Sequence, residues 1–99
     1  MAILLFYKKD ITDEGDIIER KLWNVDKSKD FPEGIKYSFV YICNNKRTLG
    51  YDNERAKGHH KHYFDKEIKY EFINIKKLFQ DFEKDLGIVR NMLYGNKEN

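Results

Sequence analysis

The chain has 99 residues, 40% of them hydrophobic and 15% aromatic, and its 19 cationic and 17 acidic side chains leave a formal net charge of +2. This length supports a single domain, 1–99, whose modest core must be filled largely by aromatic rings, and it excludes a second domain. The lone cysteine, Cys43, excludes an intramolecular disulfide and a CxxC zinc module, and no apolar run approaches the roughly 20 residues of a membrane-spanning helix.

The first predicted element is a strand over residues 2–7. This continuous apolar run is typical of a strand that is buried on both faces or lies in the centre of a small sheet. Lys8 and Lys9 follow at once without a small-residue cleavage site, which argues against a signal peptide. A cytoplasmic protein that does not associate with membranes is therefore expected.

The next residues predict the partner of that strand and a loop. Residues 12–16 have the Asp, Gly and Thr chemistry of a turn, and residues 17–25 mix apolar and charged side chains as a partly exposed strand does. The two strands are expected to pair as a hairpin. Residues 26–34, which are rich in Asp and Lys and end in Pro and Gly signals, are predicted to be a loop.

The middle of the chain predicts two further hairpins. In residues 35–43 apolar and aromatic side chains alternate with a period of two, so one face of this strand is aromatic. Residues 44–47 supply a turn, and residues 48–52 return as its partner. After Gly58, a strand over residues 59–64 is expected to pair with one over residues 67–72.

The last segment changes to a helical period. Asn74 is a good N-cap, and one stripe collects the apolar residues Ile75, Leu78, Phe79, Phe82, Leu86, Val89 and Leu93. Gly87 costs about 1 kcal/mol relative to Ala inside a helix, so it predicts a bend or an early end. Residues 95–99 are expected to be frayed. The predicted fold is α+β: an antiparallel sheet of about five or six strands built from hairpins, with one long C-terminal amphipathic helix packed on one face.

The densest chemistry lies in residues 51–62, which contain all three histidines, two carboxylates and three cations. Residues 44–62 carry five cationic and two acidic side chains, whereas the rest of the chain carries fourteen and fifteen. A local basic patch on a nearly neutral body favours an anionic ligand over non-specific coating of nucleic acid. We interpret this segment as the active or ligand-binding segment.

On a strand, His60 and His62 project to one side and His59 and Lys61 to the other. The two imidazoles would stand about 6 to 7 Å apart and could bracket a phosphate. One ring could deprotonate a ribose 2′-hydroxyl while the other protonates the departing 5′-oxygen. The predicted catalytic residues are His60, His62 and Asp52, with Asp52 fixing a histidine tautomer.

Cations and rings near the histidines are predicted to bind the substrate. Arg55 and Lys57 could steady the negative charge that builds up on a phosphate, and Tyr51 could stack on a base. Two other readings stay open. The segment could be a solvated polar strand, or His-x-His with Asp52 or His59 could bind a first-row metal. Because Arg55, Lys57 and Lys61 would oppose a bound cation, we expect no metal and no other cofactor.

A run of short motifs crosses the second half of the chain: Leu49-Gly50-Tyr51-Asp52-Asn53, then Lys57-Gly58, then His60-Lys61-His62-Tyr63, followed by a Tyr-x-Phe strand and a Phe-rich helix. This run resembles the TumE family of small prokaryotic toxin–antitoxin proteins. The family pattern runs Tyr-Asp-Asn, a short charged turn, Gly-Lys-Gly and His-Arg-His, and the resemblance spans residues 48–86. Ala56 stands where the family often has Gly, and Lys61 replaces the usual Arg, which keeps the charge but loses the planar fork.

The resemblance adds Asn53 and Lys61 to the predicted substrate-binding residues and implies a toxin encoded beside a helix-turn-helix antitoxin. It does not supply a reaction. From side-chain chemistry, the leading hypothesis is a metal-independent endoribonuclease with RNA as its substrate. The alternatives are a non-catalytic module that binds nucleic acid or the antitoxin, and a metal-dependent hydrolase. A homodimer is also expected, because one helix cannot cover every edge and face of such a sheet.

Overall fold

The computed structural model describes residues 1–95, which form one sheet and one helix. The elements in chain order are β1 (Ile3–Ile11), β2 (Ile17–Asn24), β3 (Ile35–Cys43), β4 (Lys46–Asp52), β5 (His60–Tyr63), β6 (Lys66–Lys69) and α1 (Ile75–Tyr94). The strand order in the sheet is also β1 to β6, and every pairing is antiparallel. The predicted α+β fold, with hairpins and one C-terminal helix, is confirmed.

The aromatic side of β3 forms the centre of the core. Tyr37, Phe39 and Tyr41 are at most 1% exposed and face α1 because alternate side chains of a strand share a face. The Phe39 ring packs edge-on against two rings of the helix, with centroids 4.9 Å from Phe79 and 5.4 Å from Phe82. The predicted packing of the helix on the aromatic face is confirmed.

The helix starts where the sequence predicts and continues past Gly87. The Asn74 side chain accepts a hydrogen bond of 2.8 Å from the backbone N–H of Lys77, which caps the first turn. The prediction that Gly87 bends or ends the helix is wrong in its second part, because α1 continues to Tyr94. Beyond Gly87, the Tyr94 hydroxyl donates to the Asp16 carboxylate at 2.6 Å and so holds the last turn against the sheet. Gly95 follows the helix, and the other residues predicted to be frayed lie outside the described part of the chain.

The prediction that residues 2–7 form a strand buried on both faces or in the sheet centre is wrong in its placement. Within residues 1–95, β1 pairs only with β2 and is an edge strand, with Ile3 57%, Leu5 50% and Tyr7 51% exposed. The reason is topological: in a sheet where each strand pairs with its chain neighbours, the first strand has no second partner. One edge of the molecule is therefore apolar and open.

The last hairpin is shorter than the predicted ranges of residues 59–64 and 67–72. The turn falls at Phe64 and Asp65, and β6 ends at Lys69. Beyond that point the chain turns toward the helix, where the Tyr70 hydroxyl donates to Asp81 at 2.6 Å. The sheet thus has one face covered by α1 and a second face, here called the open face, that carries the alternate residues of each strand.

Candidate functional site

A cluster of polar side chains lies on the open face where β4, β5 and β6 pair. Asp52 is directly opposite His60, and His62 lies between Gly50 on one side and Glu67 on the other. The two imidazole centroids are 4.9 Å apart, and the rings meet edge to face at 78°. The rings are therefore closer together than the 6 to 7 Å expected from the strand spacing alone, because they turn toward each other.

His60 is the most enclosed member of the cluster, with a side chain only 6% exposed. Its Nδ1 lies 3.1 Å from the carbonyl oxygen of Gly58, which can only accept, so Nδ1 carries a proton. Its Nε2 lies 2.8 Å from Asp52 Oδ1 and 3.2 Å from Glu67 Oε2. The short contact between His60 Nε2 and Asp52 Oδ1 does not have the angles of a hydrogen bond. Among the described residues, both atoms are buried and neither has a hydrogen-bond partner.

His62 has different neighbours. Arg47 Nη2 lies 3.0 Å from His62 Nδ1. Since a guanidinium can only donate, Nδ1 accepts and the neutral ring carries its proton on Nε2, which is 3.6 Å from Asp52 Oδ2. Burial lowers the pKa of His62 below its ordinary value, and the positive charge of Arg47 lowers it further. His62 is therefore neutral at neutral pH.

Arg47 reaches His62 because Gly50 has no side chain. A Cβ at Gly50 would lie 2.9 Å from Arg47 Cδ, closer than real Cβ contacts allow. Sequence reasoning missed Arg47 and Glu67 as members of the cluster. Two short turns could have predicted their positions. Asn44 and Asn45, both at positive φ, set the β3–β4 register that places Arg47 on the open face. The two-residue turn after β5 places Glu67 opposite His62.

The predicted phosphate-binding residues lie on the loop beside the cluster. Arg55 is 75% exposed and pairs with Asp30 at 3.0 Å, while Lys57 is 54% exposed with its Nζ 3.9 Å from Glu67 Oε2. Lys57 borders two cavities, one of about 560 Å³ on the loop side and one of about 440 Å³ that His60 and Glu67 also line. A ligand held by Lys57 would thus lie next to His60.

A family model described as Toxin TumE matches residues 4–92, from the start of β1 almost to the end of α1. The chain belongs to the TumE toxin family. It is therefore the toxin component of a toxin–antitoxin system, and TumE membership implies an antitoxin partner. No curated protein and no solved structure gives a significant match. Within residues 1–95, no helix is both long and apolar enough to cross a membrane.

Three residues of the TumE-like motif do not face the cluster with the histidines. The Tyr51 hydroxyl donates to the Asp85 carboxylate of α1, and Lys61 Nζ lies 3.0 Å from the same carboxylate. Asn53 is 2% exposed and joins the backbone of β3, accepting from the N–H of Tyr37 and donating to the carbonyl of Ile35, both at 2.9 Å. In this TumE-family chain these three side chains contact α1 or β3, and Asn53 also lines the cavity on the loop side of Lys57.

The third histidine has other ring contacts, although it lines the cavity of about 440 Å³ together with His60. The His59 ring stacks on the Phe72 ring, with centroids 4.8 Å apart. Its Nδ1 is hydrogen-bonded to the Tyr37 hydroxyl at 3.0 Å, and its Nε2 lies 3.1 Å from Glu33 Oε1. Asp52, His60 and His62 can act together on one bound atom or ion. Their side-chain atoms that could coordinate a metal all lie within 4.8 Å of one another. This set can move a proton between two rings or hold a metal ion.

Proposed function

We propose that this TumE-family toxin is a metal-independent endoribonuclease that cleaves cytoplasmic RNA with His60 and His62 as an acid–base pair. The observation that carries the proposal is the contact of the two imidazoles, 4.9 Å apart, with opposite surroundings. Carboxylates flank His60, whereas a guanidinium contacts His62. Enzymes separate an acid from a base by giving two titratable groups such different environments.

His62 is the base. Its pKa is lowered by burial and by Arg47, so the neutral ring is available near neutral pH. Nδ1 is occupied by Arg47 in the free protein. An RNA phosphate attracts the guanidinium into a charge-assisted hydrogen bond, which frees Nδ1 to take the proton of the ribose 2′-hydroxyl. The 2′-oxygen then attacks phosphorus.

His60 is the acid. In its acid form His60 is protonated on both ring nitrogens: Nδ1 donates to the Gly58 carbonyl, and the second proton is on Nε2, which lies 2.8 Å from Asp52 Oδ1 and 3.2 Å from Glu67 Oε2. This proton passes to the 5′-oxygen as the bond from phosphorus to that oxygen breaks, leaving a 2′,3′-cyclic phosphate and a 5′-hydroxyl. Asp52 contacts both rings and positions them, and Lys57 and Arg55 bind the phosphates on the loop side.

The test is RNA cleavage by purified protein in EDTA. The wild type is expected to cleave RNA to products that end in 2′,3′-cyclic phosphate, and the double variant His60→Ala/His62→Ala is expected to be inactive. His59→Gln is the matched control: His59 lines the same cavity as His60, but its ring contacts Glu33 and Phe72, so the variant should keep the acid–base step. Full activity in the double variant, or equal cleavage of an all-deoxy substrate, would rule out the mechanism. RNA binding without turnover would instead identify a non-catalytic module.

The proposal extends to partners. The apolar edge strand β1 has exposed side chains and only one paired neighbour, which suits the addition of another strand. We propose that the toxin forms a homodimer and also binds a cognate helix-turn-helix antitoxin. Light scattering that gives a strict monomer would contradict the dimer, and a neighbouring gene for an unrelated type of protein would contradict the antitoxin assignment.

A further inference from the structure

We propose that Asp52, His60 and His62 bind a first-row transition-metal ion such as Zn²⁺, and that the bound ion inhibits the toxin. The binding half stands on geometry alone. The inhibitory half rests on the proposed function, because an ion that takes the lone pairs of both rings prevents them from exchanging protons with RNA.

The spacing of the three residues fits such an ion. Their ligand atoms lie within 4.8 Å of one another. Metal–ligand bonds of about 2.0 to 2.2 Å put neighbouring ligands of a tetrahedral site roughly 3.3 Å apart. Asp52 Oδ1 lies 2.8 Å from His60 Nε2 and Asp52 Oδ2 lies 3.6 Å from His62 Nε2, distances on either side of that spacing. Side-chain rotations that shorten the widest separation, 4.8 Å, would close the site.

Two buried atoms point to a cation. Asp52 Oδ1 and His60 Nε2 are buried 2.8 Å apart, and within the described residues neither has a hydrogen-bond partner. When His60 is neutral, the lone pair of Nε2 faces the Asp52 carboxylate, and a cation between the two atoms would stabilise both. The Gly58 carbonyl holds the proton of His60 on Nδ1, which turns Nε2 into the ligand atom, as the outer partners of metal-bound histidines commonly do.

Two neighbours of the site affect metal binding in opposite directions. Glu67 Oε2, 3.2 Å from His60 Nε2 and on a side chain 47% exposed, is placed to be the fourth ligand. Arg47 works against the ion, since it holds the proton of His62 on Nε2 and adds a positive charge. Metal binding requires His62 to change tautomer and Arg47 to leave Nδ1. Removing Arg47 is therefore expected to tighten metal binding.

The experiment uses the full chain without a polyhistidine tag, stripped with EDTA and dialysed. ZnCl₂ titration followed by calorimetry is expected to give one ion per chain. Asp52→Asn and His60→Ala should weaken binding by at least about tenfold, and Arg47→Gln should strengthen it. The matched control His59→Gln should bind as the wild type does. Binding that is absent, or that depends on His59 instead, overturns the proposal.

Two further measurements keep the result independent of variant folding and of the reaction. Zn²⁺ should shift the ring NMR signals of His60 and His62 in the wild type and leave those of His59 in place; the opposite pattern refutes the site. In the RNA assay, Zn²⁺ should stop cleavage and EDTA should restore it. If Zn²⁺ instead stimulates cleavage, inhibition and metal-independent catalysis both fail while the site stands. If RNA is never cleaved, the proposed function and the inhibitory half fail, and the titration still decides the site.

Discussion

Replacing Asp16 by Asn should remove the contact that locks the end of α1 to the sheet. The Asp16 side chain is 5% exposed, and its Oδ2 accepts hydrogen bonds of 2.6 Å from the hydroxyls of Tyr41 and Tyr94. Arg90 Nη1 lies 3.8 Å from the same oxygen. The carboxylate thus joins the β1–β2 turn, the C-terminal part of β3 and the last turn of the helix.

The expected loss follows from the change of acceptor. A hydrogen bond to a charged group contributes about 1.5 to 3 kcal/mol, and one to a neutral group about 1 kcal/mol. Two weakened bonds, together with a buried amide N–H that finds no acceptor, reduce the free energy of unfolding of Asp16→Asn by about 3 kcal/mol. For a domain of this size the melting temperature falls by roughly 12 to 24 °C.

The loss should depend on pH in a defined direction. Burial raises the pKa of Asp16, but the hydrogen bonds from Tyr41 and Tyr94 outweigh it, and the net pKa lies below the ordinary 3.8. A carboxyl whose pKa is lowered by folding stabilises the protein fully above its ordinary pKa and loses this effect as the pH falls through the folded value. The difference between wild type and variant should therefore be largest near neutral pH and shrink in acid.

Urea unfolding of both proteins, at neutral pH and in acid, measures this difference. Asp13→Asn is the matched control, because it makes the same charge change at an exposed position of the same turn. Burial and Asp16 together raise the pKa of Tyr41 to about 12, so ultraviolet titration of Asp16→Asn should give a lower value. An unchanged free energy of unfolding, or an equal loss in Asp13→Asn, would refute the reasoning.

Three further changes test the site and its supports. Gly50→Ala should push Arg47 off His62, so NMR titration should show a higher pKa for His62 and the RNA assay a lower rate; an unchanged His62 pKa would contradict the contact. Ala56→Gly should raise the free energy of unfolding by about 1 kcal/mol, because φ at this residue is +69°, and urea unfolding that shows no gain would argue against this conformation. Tyr51→Phe should cost about 2 kcal/mol by losing its hydrogen bond to a carboxylate of α1; calorimetry that shows no loss would contradict that structural role.

Local patterns predicted most of the fold. The alternation in residues 35–43 gave β3 its observed bounds, Ile35–Cys43, and Asn74 caps α1 as expected. The exposure of β1 was not predictable from its own residues, since an apolar run looks the same in the centre of a sheet and at an edge. Only the order of all six strands places it at the edge.

The residues of the site also differ in whether local sequence patterns predict them. Asp52, His60 and His62 follow from spacing along two strands, but Arg47 and Glu67 depend on register, which turns and the irregularity between Tyr41 and Ile42 decide. Tyr51 precedes Asp52 on the same strand, so the two side chains must point to opposite faces of the sheet. Membership in the same motif therefore did not place Tyr51 beside the imidazoles, and in the structure it contacts α1.

The pairing of every strand with its neighbour in the chain also has a consequence for biosynthesis. The strands pair in the order in which they are translated, so they can associate as they leave the ribosome, and such local topologies fold quickly. The helix that covers one face of the sheet is translated after all of them. Nascent chains that stop before Phe79 would lack both helix rings that pack on Phe39 and could not complete the core, which delays the appearance of active toxin until translation of this gene is nearly finished.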